Sequence, residues 1–265
     1  MKKSNFNFTK IFSGVILIIA FAACSPEQDI KVHGSAAHQD IIRFLVESHG
    51  YDPCCFEITE EDVIYKGDIA FSIKDFHSRY LPCEDQVESS ELTERKHYRT
   101  QYLVKVPQNG VRWIVINVLR STPSAWVKYV SNAASAWNGL NGKVKFTVQS
   151  GSKSIKGGIN IVGAYLPTDY IALASVPESN GDPGNVIRIN LTGPATSTMQ
   201  KIHALTHEIG HCIGFYHTDD MVGSLITGVS SSCRNNRDRY SVMQPVVADW
   251  AGFSSCDRQA FDALY

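Results

Sequence analysis

His207-Glu208-Ile209-Gly210-His211-Cys212-Ile213-Gly214-Phe215-Tyr216-His217 follows the pattern H-E-x-x-H-x-x-G-x-x-H. On a helix, residues four apart share a face, so His207 and His211 can present two imidazoles to one metal ion. Glu208 lies about 100° round the helix from His207, within reach of a water molecule at that metal. Gly214 lets the chain leave the helix through a backbone conformation that costs other residues more. The turn then brings His217 back as a third nitrogen. Three protein nitrogens leave one position open on zinc, which separates a catalytic site from a closed structural one. His207, His211 and His217 are therefore the candidate ligands of one Zn2+ ion, and Glu208 is the candidate general base.

Thr196 or Ser197 is placed to cap the long helix that carries these residues. At about 100° per residue, Ala204, Glu208 and His211 cluster with His207. Ile202, Leu205, Ile209, Cys212 and Ile213 fall on the opposite side. One face is chemical and the other packs on a sheet, which makes Cys212 a core thiol or disulfide partner rather than a ligand. His203, one turn before His207, reads as a supporting or surface residue.

Downstream, Ser241-Val242-Met243-Gln244-Pro245 resembles a Met-turn, and with the long histidine motif it matches the metzincin signature. Residues 207–219 (HEIGHCIGFYHTD) resemble the dual-action HEIGH metallopeptidases, a resemblance that extends more weakly over residues 41–265. It implies an α+β chain with a metzincin-like catalytic domain at residues 101–265. That domain would comprise a twisted mixed sheet, an active-site helix, a Met-turn and a C-terminal helix. The implied activity is zinc-dependent endopeptidase action on extended extracellular polypeptides. Met243 would then support the ligand histidines from below, and Asp219 would orient an imidazole. Some metzincins carry a tyrosine two residues after the Met. Here that position is Pro245, leaving Tyr216 and Tyr240 as candidates for an oxyanion partner.

The 265 residues are 43% hydrophobic with a net charge of −1, ample for a core and giving no reason to expect nucleic acid. Lys2, Lys3 and Lys10 precede a short apolar run over residues 11–23, too short for a comfortable membrane span. Phe21-Ala22-Ala23-Cys24 fits a lipoprotein signal covering residues 1–23, with Cys24 becoming the lipidated N terminus on a bacterial membrane surface. The alternative is an ordinary secretory signal cut near Ala23. Setting Cys24 aside leaves six cysteines, Cys54, Cys55, Cys83, Cys212, Cys233 and Cys256, whose pairing is open to fifteen connectivities. Three in each half require a bridge between the halves or a lone thiol in both.

Residues 24–100 read as a tether followed by a small α+β unit, either a pro-region or a retained accessory domain. Its helix is expected over 40–48 and its strands near 56–59, 63–65 and 67–71. Gly50-Tyr51 and Lys66-Gly67-Asp68-Ile69 resemble a segment that precedes the peptidase part in the same family. Cys54, Cys55 or Cys83 could occupy the open metal position in a latent form, or could form a structural disulfide. The charged residues 84–96 mark the expected linker and cleavage site.

Beyond residue 100, strands are expected at 102–106, 112–119, 143–149, 157–162, 171–176 and 185–190. A helix over 125–140 should follow Pro123, capped by Thr122 or Ser121. By the resemblance, 171–176 is the edge strand where a substrate peptide adds antiparallel. Residues 249–252 and 257–264 suggest a last helix. The expected partner is a polypeptide substrate, with the chain a monomer. Two other readings stay open, a surface-anchored metal-containing binding module without turnover and a narrow protease acting on its own linker.

Overall fold

Two β-branched runs form one end of the sheet. β5 (Arg112–Leu119) and β6 (Val144–Gly151) lie parallel in register from Arg112↔Val144 to Leu119↔Gly151. Parallel neighbours need a crossover, which α2 (Trp126–Asn138) supplies. β7 (Ile159–Ala164) and β9 (Val186–Asn190) continue the parallel set, and β8 (Ala172–Ala174) runs antiparallel to β9.

The computed structural model describes residues 34–49, 51–74, 76, 97–166, 170–218, 223–235 and 238–265. The leader with Cys24, Cys83, the charged segment 84–96 and Asp219 lie outside the described residues. Residues Val32–Tyr265 form one compact unit.

The N-terminal elements extend the same sheet. Helix α1 (Ala36–His49), a 3-10 turn at Pro53–Cys55, and strands β1 (Phe56–Ile58), β2 (Asp62–Tyr65) and β3 (Ile69–Ser72) come first in the chain. β1, β2 and β3 make antiparallel pairs. β3 then joins the outer edge of β8 in parallel, with Ile69 opposite Ala174. The order across the mixed eight-stranded sheet is β1-β2-β3-β8-β9-β7-β5-β6. Arg188 on β9 reaches Asp62 on β2 with both guanidinium nitrogens, a mostly buried pair that bridges the two parts of the sheet.

Residues 102–106 are not a strand. Instead β4 (Tyr98–Arg99) pairs with β10 (Ser224–Leu225) in a small second ladder. The expected cap of α2 is also replaced. Its N-cap is Ala125 without a side-chain bond, because the Thr122 hydroxyl donates to Ile161 O across to β7 (3.0 Å). After α3 (Thr198–Ile213), the described residues between 223 and 235 are less loop-like than their composition suggests. They include α4 (Ser231–Asn235), which a Cys233–Cys256 disulfide ties to α5 (Ser255–Leu264). Ser254 caps α5, and residues 249–252 are irregular.

The main core lies between the sheet and helices α2 and α3, centred on Trp137. Its ring packs with Phe215, Phe253 and Phe261, and its indole N–H donates to Thr206 O on α3 (3.0 Å). Trp137→Ala is expected to cost about 3–5 kcal/mol, read as a lower urea midpoint with the same m-value. A second core gathers Ile41, Ile42, Leu45, Tyr51, Tyr65 and Phe71 of the N-terminal part, and takes in Tyr98, Val176 and Tyr216 from beyond it.

Candidate metal centre

Both ends of α3 are fixed by local chemistry. Ser197 Oγ accepts from Gln200 N (3.1 Å), while the Gln200 side chain accepts from Ser197 N (2.8 Å), a reciprocal capping box. At the other end Gly214 has φ +109°, and a Cβ there would stand 2.6 Å from Leu103 Cδ2. Only glycine fits this left-handed, crowded turn. The turn and the residues after it are clasped by residues 98–100, since Thr100 N donates to Gly214 O (2.8 Å) and Tyr216 N to Tyr98 O (3.0 Å).

That turn brings three Nε2 atoms together. His207 and His211 are 2.9 Å apart, and His217 is 3.2 Å from each. His207 Nδ1 donates to Val242 O and His211 Nδ1 to Phe215 O, both at 2.7 Å. Carbonyls accept only, so each of these imidazoles carries its proton on Nδ1 and turns a lone pair at Nε2 into the cluster.

A fourth group stands on the same point. Asp68, one residue before β3, places Oδ2 2.8 Å from His217 Nε2, 3.1 Å from His207 Nε2 and 3.7 Å from His211 Nε2. Lys66 (φ +47°) and Gly67 (φ +87°) make the turn that aims it. Burial would raise the Asp68 pKa. Positive charge on the histidine cluster, His217 foremost, outweighs that effect and holds it well below the usual carboxylate range. Imidazole lone pairs and a carboxylate at such distances repel one another unless a cation lies among them. The donor set fits a first-row divalent ion, and imidazole with carboxylate suits zinc.

Glu208 is 4% exposed, and its Oε2 has no hydrogen-bond partner among the described residues. Burial, with the Asp68 charge added, pushes its carboxyl well above the usual range. The amphipathic reading of α3 therefore needs a correction. Its chemical face is as buried as its apolar face, and Asp68 from the turn before β3 lies against it. His203 is buried one turn before His207, with its pKa lowered to about 4 by burial and the nearby His207. Cys212 is a buried thiol in the main core.

Met243 is buried beneath the helix. A Cβ on Gly210 would lie 2.5 Å from Met243 Sδ, so the glycine permits that approach. Asp257 on α5, which the sequence reading passed over, shapes this turn. It accepts from Ser241 Oγ (2.5 Å) and Val242 N (3.0 Å), setting the Val242 carbonyl that orients His207. Tyr216 does not face the metal cluster, since its hydroxyl meets that of Tyr51 in the second core. Tyr240 is 85% exposed. Cys54 is disulfide-bonded, and among the described residues the group that joins the three histidines is Asp68, while Cys83 lies outside them.

Residues 74–238 match the family described as dual-action HEIGH metallo-peptidase. No curated protein matches the sequence. Among solved structures, high choriolytic enzyme 1, a hatching-enzyme zinc-protease from the medaka Oryzias latipes, is 14% identical. That alignment covers 62% of this chain and 94% of the other, with a TM-score of 0.38. Myroilysin is also 14% identical, over 58% of this chain and 92% of its own, with a TM-score of 0.39. The family match spans more than half of the sequence and contains all three histidines, so the chain belongs to the dual-action HEIGH metallopeptidases.

Proposed function

We propose that the chain is a zinc endopeptidase of metzincin type, held latent by its own N-terminal segment. The observation that carries this reading is the meeting of three imidazole nitrogens from the α3 turn with one carboxylate from residue 68. His207, His211 and His217 would hold the ion in the working enzyme, and Asp68 would fill its fourth position before activation. A four-ligand zinc site is closed, whereas hydrolysis needs one position open.

When bound, zinc supplies Lewis acidity, polarising the scissile carbonyl and acidifying water. Glu208, beside His207 on α3, takes the proton of the attacking water and passes it to the leaving amine. The carbonyls of Val242 and Phe215 keep two imidazoles in the ligating tautomer throughout. Met243 fills the space below Gly210 and keeps the helix seated. The free edge of β8 receives the substrate as an antiparallel strand, once β3 has left it. The leader with Cys24 and the Cys233–Cys256 disulfide support an extracytoplasmic, lipid-tethered site of action.

Chelation is expected to abolish hydrolysis of a denatured protein by linker-nicked enzyme, and one equivalent of zinc to restore it. A protein that binds one zinc per chain yet cleaves nothing, intact or nicked, would instead be a metal-containing binding module.

A further inference from the structure

Two rulers lead from the metal centre to one cavity. Ala174 N donates to Asp68 O (2.9 Å), and Ile69 pairs with Ala174, so Asp68 lies alongside Leu173 with its side chain turned to the histidines. Side chains alternate along a strand, so the next position on that face lies beside Ile171, roughly 7 Å away. On α3, Lys201 and Glu208 are seven residues apart, within about 20° of one azimuth and about 10.5 Å apart along the axis. Both measures end at a cavity of about 340 Å³ walled by Trp126, Ile171, Leu191, Pro194 and Lys201.

A peptide adding antiparallel to β8 runs from Ala174 towards Ile171 as it passes beyond the scissile bond. Its first residue after the bond takes the place of Asp68 beside Leu173, and its third comes beside Ile171. The cavity is therefore positioned for that third side chain.

Its lining also defines a chemistry. Lys201 Nζ donates to Thr196 O (2.8 Å) and lies 6.0 Å and 5.7 Å from the ring centroids of Trp126 and Tyr129. These partners are uncharged, and among the described residues no carboxylate forms an ion pair with Lys201. Leu191, Ile171 and Trp126 offer apolar walls for the stem of a side chain that ends in a negative charge. We propose that this cavity is a substrate subsite that selects glutamate at the third position after the scissile bond, through Lys201. The inference rests on the peptidase reading and gives it a sequence preference.

The test uses full-length protein nicked in the linker and loaded with zinc, with one peptide it cleaves, made with Ala, Gln, Glu or Lys at that position. Fragment masses locate the cut. In the wild type, kcat/KM for the Glu peptide should exceed that for the Lys peptide by about fivefold or more. Lys201→Glu should reverse the order, and Lys201→Met should level it, which keeps the test open if the charge reversal fails to fold. An unchanged Glu-to-Lys ratio in both variants, with the Ala peptide still cut, overturns the subsite alone. A protein that cuts none of the peptides, or no denatured protein, overturns the peptidase reading with it.

Discussion

Glutamine in place of Glu208 is expected to lower kcat by about 10²–10⁴-fold while leaving zinc bound. The substitution keeps the shape of the side chain and removes only its capacity to take a proton. Glu208 is not among the groups that converge on the metal point. The three imidazoles are placed without it, by Val242 O, Phe215 O and the Gly214 turn. Metal content by atomic absorption should therefore match the wild type, while cleavage of a quenched peptide collapses. Cleavage within a factor of a few of the wild type would remove Glu208 from the mechanism. Loss of zinc along with activity would make it a structural support.

Alanine at Asp68 is expected to work in the opposite direction, raising the activity of the intact chain by at least about tenfold on a short peptide. A ligand-binding equilibrium limited by a blocked site gains in proportion to the fraction of sites opened. The substitution removes the carboxylate at the histidines but keeps the Asp68 carbonyl, which accepts from Ala174 N and holds β3 on the sheet edge. Gain should therefore be larger for small substrates than for long ones, which need the edge itself. Asp68→Asn should fall between, since an amide oxygen is a weaker ligand than a carboxylate. If the intact Asp68→Ala protein is as silent as the wild type, residue 68 does not impose latency. Alanine at Cys54, Cys55 or Cys83 is expected to leave the intact chain silent.

The two halves of this site differ in how far they could be read from sequence. His207, Glu208, His211, Gly214 and His217 lie within eleven residues, and helix periodicity plus one glycine turn is enough to bring them together. Asp68 is 139 residues from His207, and its contact depends on a parallel strand pair that leaves no local pattern. The signal lies in Lys66-Gly67-Asp68-Ile69, but thiolate is the stronger zinc ligand, so the cysteines outrank that segment in the sequence. Thr122 shows the same limit on a smaller scale. A threonine before a proline reads as a helix cap, but β7 offers its hydroxyl a buried carbonyl instead. Asp257 was hidden because a first-turn acid on a helix is usually explained by the helix itself. Here its carboxylate serves Ser254 N in its own cap and also Ser241 and Val242 beneath the histidines.

The direction of β3 carries one more consequence. A strand laid on β8 with its N-to-C polarity reversed relative to a substrate presents each peptide group to Glu208 the wrong way round. The leaving nitrogen and the carbonyl exchange places, so proton delivery and carbonyl polarisation fall on the wrong atoms. Resistance of this segment to the enzyme's own chemistry then follows from orientation and needs no special residues at the cut position. Such a plug is never consumed where it sits. Under the latency proposed above, it has to be detached by an event elsewhere in the chain, and until then each molecule would be its own stoichiometric inhibitor.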